Sequence, residues 1–188
     1  MKKIFRTMLI TVLSFCLSCN TCLQEAEAFQ VWDNIGWECT PDDIRSTIDE
    51  TQSYNDLTFD ADYIINVAPD ESYNEFMGKL VGDTIAQNTS YISYFFESET
   101  GKLKQILVPM IFFSFEVDHV YDTICSNITR YYAIEPYERL EESDTYKETT
   151  FWELNADHTI VFVMLYRDID YDGMQNVSSV VITFANNN

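Results

Sequence analysis

Residues 149–185 read TTFWELNADHTIVFVMLYRDIDYDGMQNVSSVVITFA, and the spacing of their apolar side chains predicts three successive β-strands. The stretches NADH and DYDG, rich in turn-forming residues, separate these strands. The middle strand, residues 159–166, is apolar on both faces: Ile160, Phe162 and Met164 on one, and Val161, Val163 and Leu165 on the other. Because a strand without a polar face belongs inside a sheet that is covered on both sides, we expect it to form the centre of the core.

The bulk composition indicates a folded, strongly acidic domain. The chain has 188 residues, enough for one domain with its own core, and is 46% hydrophobic and 15% aromatic, unlike a disordered acidic tail. Its formal net charge is -20, from 31 acidic and 11 basic side chains. Such a surface repels phosphate backbones and anionic lipid, which argues against nucleic-acid binding and against docking on a membrane surface. The charge favours a soluble exported protein, or one with a basic partner.

The N-terminus has the pattern of an export signal, which we place in residues 1–28. A basic start, MKKIFR, precedes the apolar run MLITVLSFCL, whose about ten residues suit a signal-peptide core and are too few to cross a bilayer. Two processing alternatives remain open. Small residues at 26–28 (AEA) suit signal peptidase, whereas LSC at 17–19 resembles the end of a bacterial lipobox and would make Cys19 the acylated first residue. A cysteine stands at a lipobox position that usually carries an aliphatic residue.

Two cysteines remain after such a leader, Cys39 and Cys125. In an oxidising compartment they suggest one disulfide. The alternative is two separately buried thiols, because cysteine packs as a small apolar residue. The CNTC motif at 19–22 has the spacing of a redox or zinc site but lies in the export region, where processing chemistry explains it better.

The rest of the chain supplies further helices and strands. Thr40 is expected to cap a helix that runs to about residue 51, and residues 117–132 show helical apolar spacing. Strands are expected at 57–67, 90–97 and 102–113, with Pro109 suggesting an edge or a bulge. Residues 69–83 fit a mobile excursion or an irregular helix equally, and the acidic stretch at 137–148 is expected to be a loop or a ragged helix end.

This order of elements predicts a single α+β domain over residues 29–188, with an antiparallel sheet of about six strands and helices on one face. The halves 29–115 and 116–188 each show a helix followed by three strands, which suggests tandem α-β-β-β halves without a sequence repeat.

The chain contains, in this order, a signal sequence, a helix start TPDDI, a hairpin FESETGKLKQILV, a helix VYDTICSNITRYY and the strands of TTFWELNADHTIVFV. This arrangement resembles small exported proteins of unknown function of the Bacteroidetes type. Their layout is similar to the β-lactamase-inhibitor-protein-like (BLIP-like) fold, which SmpA-type outer-membrane assembly lipoproteins share. The resemblance implies a binding or accessory role and supplies no catalytic residues.

The sharpest local motif is a D-x-D-x-D-G string formed by Asp168, Asp170, Asp172 and Gly173. Calcium loops use it because alternate carboxylates converge on the cation while glycine permits the turn. Here the twelfth position is Ser179 instead of an acidic residue, and the flanks are predicted strands, not helices. The alternative is a β-hairpin turn, and a weak calcium site that rigidifies the hairpin fits both interpretations.

Catalytic chemistry finds little support, so no catalytic residue and no cofactor other than calcium are predicted. The two histidines, His119 and His158, lie at a helix start and in a turn, and no serine sits in a G-x-S-x-G elbow. A hydrolase with paired carboxylates is the third-ranked hypothesis. Among 31 acidic residues close pairs form by chance, so the sequence gives this hypothesis no specific support.

The aromatic residues offer a ligand or partner surface. Trp152, Tyr94 and Tyr131 are the candidates for it, and the alternative is that they fill the core. The leading hypothesis is therefore a non-catalytic protein of the bacterial periplasm, outer membrane or cell surface that binds another envelope or extracellular protein. The second is a carbohydrate- or small-ligand-binding module that uses exposed aromatics, with or without calcium.

Overall fold

One antiparallel sheet of eight strands carries the fold, with helices packed on one of its faces, which confirms the predicted α+β class. The structure is a computed structural model that describes residues 29–59, 62–113, 117–142, 147–154, 158–171 and 174–187. Within these ranges no helix is both long and apolar enough to cross a membrane.

The described helices are a 3-10 helix Trp32–Asn34, α1 (Pro41–Thr47), α2 (Glu71–Val81), α3 (Asp83–Ala86) and α4 (Val117–Tyr132). The strands are β1 (Tyr54–Phe59), β2 (Asp62–Val67), β3 (Ile92–Phe96), β4 (Leu103–Phe112), β5 (Glu138–Glu142), β6 (Lys147–Leu154), β7 (Thr159–Tyr171) and β8 (Met174–Asn186).

The strands form two meanders, β1 to β4 and β5 to β8, that meet where β4 pairs with β8. The order across the sheet is β1-β2-β3-β4-β8-β7-β6-β5. The halves 29–115 and 116–188 thus each supply one meander, but the suggested α-β-β-β order is wrong. In the first half α2 and α3 separate β2 from β3, and in the second half four strands follow α4.

Helix α1 begins as its sequence predicts. The Asp43 N–H donates to the Thr40 hydroxyl, and the Asp43 carboxylate accepts from the Thr40 N–H at 2.8 Å, which forms a capping box ahead of Pro41. The helix ends at Thr47, earlier than expected. Ile48 has an extended backbone, and the N–H of Thr51 donates to the Asp49 carboxylate, so a turn replaces the last helical residues.

The ambiguous stretch 69–83 is helical, and its glycines act at specific points. Asp70 caps α2 by accepting the N–H of Tyr73 at 2.7 Å. Gly82, with φ +99, ends α2 in a conformation that favours glycine, and a Cβ on Gly78 would lie 2.2 Å from Asp83 Oδ1. The glycines therefore mark the end of α2 and the close approach of α3.

Helix α4 spans the predicted residues and packs its apolar side on the sheet. Its buried residues are Val117, Tyr121, Ile124 and Ile128. The Tyr121 hydroxyl lies 2.8 Å from Thr150 Oγ1 of β6, so the contact includes a buried hydrogen bond.

Two strands were missed by the sequence analysis. The expected strand 57–67 is a hairpin in which Leu57 of β1 lies opposite Ile64 of β2. Paired residues of a hairpin share a face, so the odd positions of β1 and the even positions of β2 lie on the same face. The phase of the alternation therefore changes at the turn, which an interpretation as one long strand overlooks. The second, β5, lies in the expected loop 137–148. It is an exposed edge strand whose charged residues hide the apolar pattern.

Pro109 pairs in register with Val181 of β8, so the expected bulge is wrong, while on its other side β4 is locally an edge because β3 pairs no further than Leu107. Two residues on, Ile111 donates its N–H to the carbonyl of Asn88, on the side of β4 away from β8. Because N–H groups alternate sides along a strand, Pro109 turns its missing N–H to that same side. There β3 no longer pairs beyond Leu107, so the β4–β8 ladder loses no hydrogen bond.

A charge network fastens α4 to the sheet. Glu148 of β6 accepts from Arg167 at 2.6 Å and from Arg139 at 2.7 Å. The same arginines reach α4, where Arg167 donates to Asp118 at 2.5 Å and Arg139 lies 3.5 Å from Asp122. One carboxylate thus links α4 to β5, β6 and β7.

Candidate functional site

The sheet has a helix-covered face and an open face. Val161, Val163 and Leu165 of β7 are fully buried under the helices. The alternate residues Ile160, Phe162 and Met164 are only half-buried. The prediction that this strand is covered on both sides is therefore wrong.

We define the open face by the residues that share a side with Phe162 in the strand register. Its apolar members on the described strands include Leu57, Ile64, Phe95, Leu107, Pro109, Ile111, Leu140, Phe151, Ile160, Phe162, Met164, Val181 and Ala185. A sheet with one solvated face usually carries polar residues there. Polar residues such as Gln105, Thr149, Ser179 and Thr183 also lie on this face, but apolar residues predominate on its β4 and β7 positions, and that is its informative feature.

The four central strands are long enough to make the open face a large patch. Strands β4, β8, β7 and β6 overlap over eight paired residues. With strands about 4.8 Å apart and a rise of about 3.4 Å per residue, the overlap covers roughly 500 Å² of flat sheet. Apolar side chains cover part of this area, and contiguous exposed apolar patches of a few hundred Å² mark interaction surfaces.

Thr183 stands at the centre of the open face. It lies opposite Leu107 on one side and Phe162 on the other. Its hydroxyl is buried and has no hydrogen-bond partner among the described residues. A buried hydroxyl without a partner costs stability, so the folded chain leaves hydrogen-bonding capacity unused at this point.

An aromatic row runs from the β5 edge of the open face to Phe162 near its centre, and the sequence analysis missed it. The ring centroids of Tyr137 and Phe151 are 5.9 Å apart, and those of Phe151 and Phe162 are 5.6 Å apart. The N–H of Tyr137 donates to the Phe151 carbonyl at 3.0 Å, which fixes Tyr137 beside the sheet while its side chain stays exposed. Tyr137 directly precedes β5, so its position beside the sheet depends on that strand. The prediction that residues 137–148 form a loop therefore did not include this tyrosine in a sheet surface. We call these three residues the aromatic ladder.

Two carboxylates flank the aromatic ladder. Glu138 lies opposite Phe151 in the β5–β6 register, and Glu153 follows Phe151 on the same face. Both are exposed. Partial burial, together with the charges of Glu138 and Glu153, raises the pKa of Tyr137. The ladder therefore lies in a negative field.

Two of the three predicted surface aromatics are in the core. Trp152 is fully buried and donates its indole N–H to Thr129 of α4 at 3.0 Å. Tyr94 is buried, and its hydroxyl accepts from the Trp32 indole at 2.8 Å. Both residues occupy strand positions that face the helices, so their prediction as a ligand or partner surface is wrong.

Tyr131 is exposed, as a surface role requires, but it belongs to the helix layer. Its ring contacts Phe76 of α2 at 6.0 Å and Tyr132 at 4.9 Å. The structure therefore does not bring Trp152, Tyr94 and Tyr131 together on one surface.

Cys39 and Cys125 are free thiols and are both half-buried, so the structure has two separate thiols rather than the disulfide. The Cys39 sulfur accepts the N–H of Gly36 at 3.5 Å, close to α1. Cys125 lies in α4, where burial raises the pKa of its thiol to about 11. The two cysteines are fixed by different elements. Cys19 lies outside the described residues.

The expected calcium motif is described only in part. Asp168 and Asp170 lie in β7, and Asp172 lies outside the described residues. Tyr171 pairs with Met174, so strands flank the motif on both sides, as the hairpin-turn interpretation requires. Elsewhere in the described chain, no group of three or more His, Cys, Asp and Glu side chains is placed to hold a metal ion. The calcium site stays a prediction.

Comparisons of the chain with protein-family models, with curated proteins and with solved structures found no match. The resemblance to exported BLIP-like proteins therefore stays an expectation, and the functional argument rests on the open face.

Proposed function

We propose that this chain is a non-catalytic protein of the bacterial envelope that binds another protein through the open face. The observation that carries the proposal is the set of half-buried apolar residues that β4, β6 and β7 place on the open face. Burial of apolar area is the main driving force of protein association, at about 25 cal/mol per Å² before the costs of association. An antiparallel sheet does not need apolar residues on its solvent side to fold, so a partner surface accounts for them best.

The size of the open face suits a stable complex. Standard interfaces bury about 800 Å² on each partner. The roughly 500 Å² of flat sheet estimated from strand spacing excludes side-chain relief and the outer strands β2, β3 and β5. The glycan-binding alternative rested on Trp152, Tyr94 and Tyr131. Of these only Tyr131 is exposed, and it lies on the helix layer, so we do not carry this alternative forward.

The test uses the mature domain as bait in an extract of its own envelope. Replacing Leu107 and Phe162 by glutamine makes the open face polar without changing the net charge. Tyr131→Gln is the matched control, because it removes an exposed aromatic from the helix layer. We expect one stoichiometric partner to be retained by the wild type and by the control and lost by the double variant. Equal retention by all three baits, with unchanged thermal melting, contradicts the proposal.

Export is part of the same proposal and has its own test. The basic start and apolar run of residues 1–28 support it. The intact mass of the protein isolated from cells distinguishes the two processing alternatives: a chain that starts at Phe29, or a heavier chain that starts at an acylated Cys19. A mass equal to the full 188 residues contradicts export.

A further inference from the structure

We infer that the partner carries a lysine or arginine side chain that docks on the aromatic ladder of the open face, between Glu138 and Glu153. The inference rests on the proposed function and names the chemistry of the partner. It begins with the geometry of the ladder, in which neighbouring rings are tilted by 37° and 35° at centroid distances of 5.9 and 5.6 Å. Three successive rings lie in a row from the β5 edge of the sheet towards its centre, and π faces attract cations.

The charges beside the ladder are of the right sign, and no basic side chain that the structure describes neutralises them. Three carboxylates elsewhere on the sheet form ion pairs: Asp56 with Arg45, Asp62 with Lys104, and Glu148 with its two arginines. Among the side chains that the structure describes, no lysine or arginine pairs with Glu138 or Glu153, and Glu153 has only His158 at 3.9 Å. A cationic group on the ladder therefore meets two carboxylates that the fold itself does not use.

The field of these carboxylates falls on the ladder itself. Their charges contribute to the raised pKa of the Tyr137 phenol. A negative potential over an aromatic ring that is 55% exposed adds to the attraction that its π face exerts on a cation. The aromatic and electrostatic contributions thus act at one place.

The net charge of the chain determines which class of partner can approach the open face. A second copy would bring another chain with net charge -20 to the same face, and like charges oppose that approach. Anionic lipid is repelled for the same reason. A protein segment with apolar side chains for the central strands and a basic residue for the ladder meets neither obstacle.

The test distinguishes the contribution of the partner's basic residue to binding from the contribution of its apolar side chains. The probes are two fluorescent amphipathic peptides of about 18 residues, enough for about five helical turns. One combines leucine with lysine, and the other has glutamine in place of every lysine. Both are titrated against the wild-type protein, against E138Q/E153Q and against the control E50Q/E99Q. The control removes two exposed carboxylates that lie in turns, outside the open face.

We expect the lysine peptide to bind the wild type, and E138Q/E153Q to weaken it about tenfold, as two favourable contacts of under 1 kcal/mol each would do. The control should change its affinity less than about twofold, because distant charges are screened. Tyr137→Leu should weaken the lysine peptide and leave the glutamine peptide unchanged. Nuclear magnetic resonance shifts on the Tyr137, Phe151 and Phe162 rings should accompany binding of the lysine peptide.

Two results overturn the inference. One is equal weakening by E138Q/E153Q and by the control, which would show a general charge effect. The other is the absence of binding by the lysine peptide. The proposed function fails separately, when polar replacement of Leu107 and Phe162 leaves the captured partner in place.

Discussion

Replacement of Glu148 by glutamine should destabilise the protein by an amount that depends on pH. The side chain of Glu148 is 18% exposed and accepts from two arginines at 2.6 and 2.7 Å. Exposed ion pairs contribute up to about 1 kcal/mol, whereas removing one partner of a buried pair costs about 3–5 kcal/mol. Glu148 lies between these limits, because the side chain of Arg139 is half exposed. We therefore expect a loss of about 2 kcal/mol near neutral pH, or about 4–8 °C in Tm for a domain of this size.

The pH dependence follows from the pKa of Glu148. Burial alone would raise this pKa, but the hydrogen bonds from Arg167 and Arg139 outweigh burial and lower it from 4.5. Because the pKa is lower in the folded state, the ionised carboxylate favours folding. Its contribution is complete above the unfolded-state pKa of about 4.3 and disappears as the pH falls through the folded-state pKa.

Urea denaturation of the wild type and E148Q, near pH 7 and near pH 3, measures this difference. Glu153→Gln is the control, because Glu153 lies on the same strand with an exposed side chain and should change stability by less than about 0.5 kcal/mol. The reasoning is refuted if E148Q costs no more than the control near neutral pH. It is also refuted if its full cost persists well below the folded-state pKa.

Further predictions concern buried groups. Thr183→Val should stabilise the protein by about 1 kcal/mol in urea denaturation, because it removes a buried hydroxyl without a partner. Thr150→Val should destabilise it by about 1–2 kcal/mol, because it leaves the Tyr121 hydroxyl without that partner; the opposite order of the two variants would contradict the assigned hydrogen bonds. Alkylation in denaturant without reductant should label both Cys39 and Cys125, whereas in the folded protein near pH 8 Cys125 should react far more slowly, because its thiol pKa is raised to about 11. A pair of cysteines that resists labelling until reductant is added would instead show a disulfide.

The sequence predicts the elements that bury an apolar side or have a strong cap. Helix α4 has the predicted bounds, and the start of α1 follows from the capping box of Thr40 and Asp43. The sequence predicts poorly the strands that form only because they pair with a neighbouring strand. Strand β5 is an edge strand, and its pairing with β6 rather than its composition makes it a strand.

The candidate site was harder to predict because a strand pattern does not say which face a helix will cover. Strand β7 is apolar on both faces, and only the packing of α4 decides that Val163 is buried while Phe162 is half-buried. Trp152 and Phe151 are neighbours in the sequence, and a prediction by residue type favours the tryptophan. The register places Phe151 on the open face and Trp152 under α4.

The charge distribution explains how an apolar face and a strongly acidic chain fit together. A large apolar surface promotes unspecific association, and a net charge of -20 opposes it between copies of the same chain. The same charge accelerates the approach of a basic partner, while the apolar centre contributes most of the affinity once the partner is seated. Binding to such a face should therefore show a salt-dependent association rate and a dissociation rate that depends on Phe162 and Leu107. A dissociation rate that depends on salt alone would place the partner on the acidic surface outside the open face.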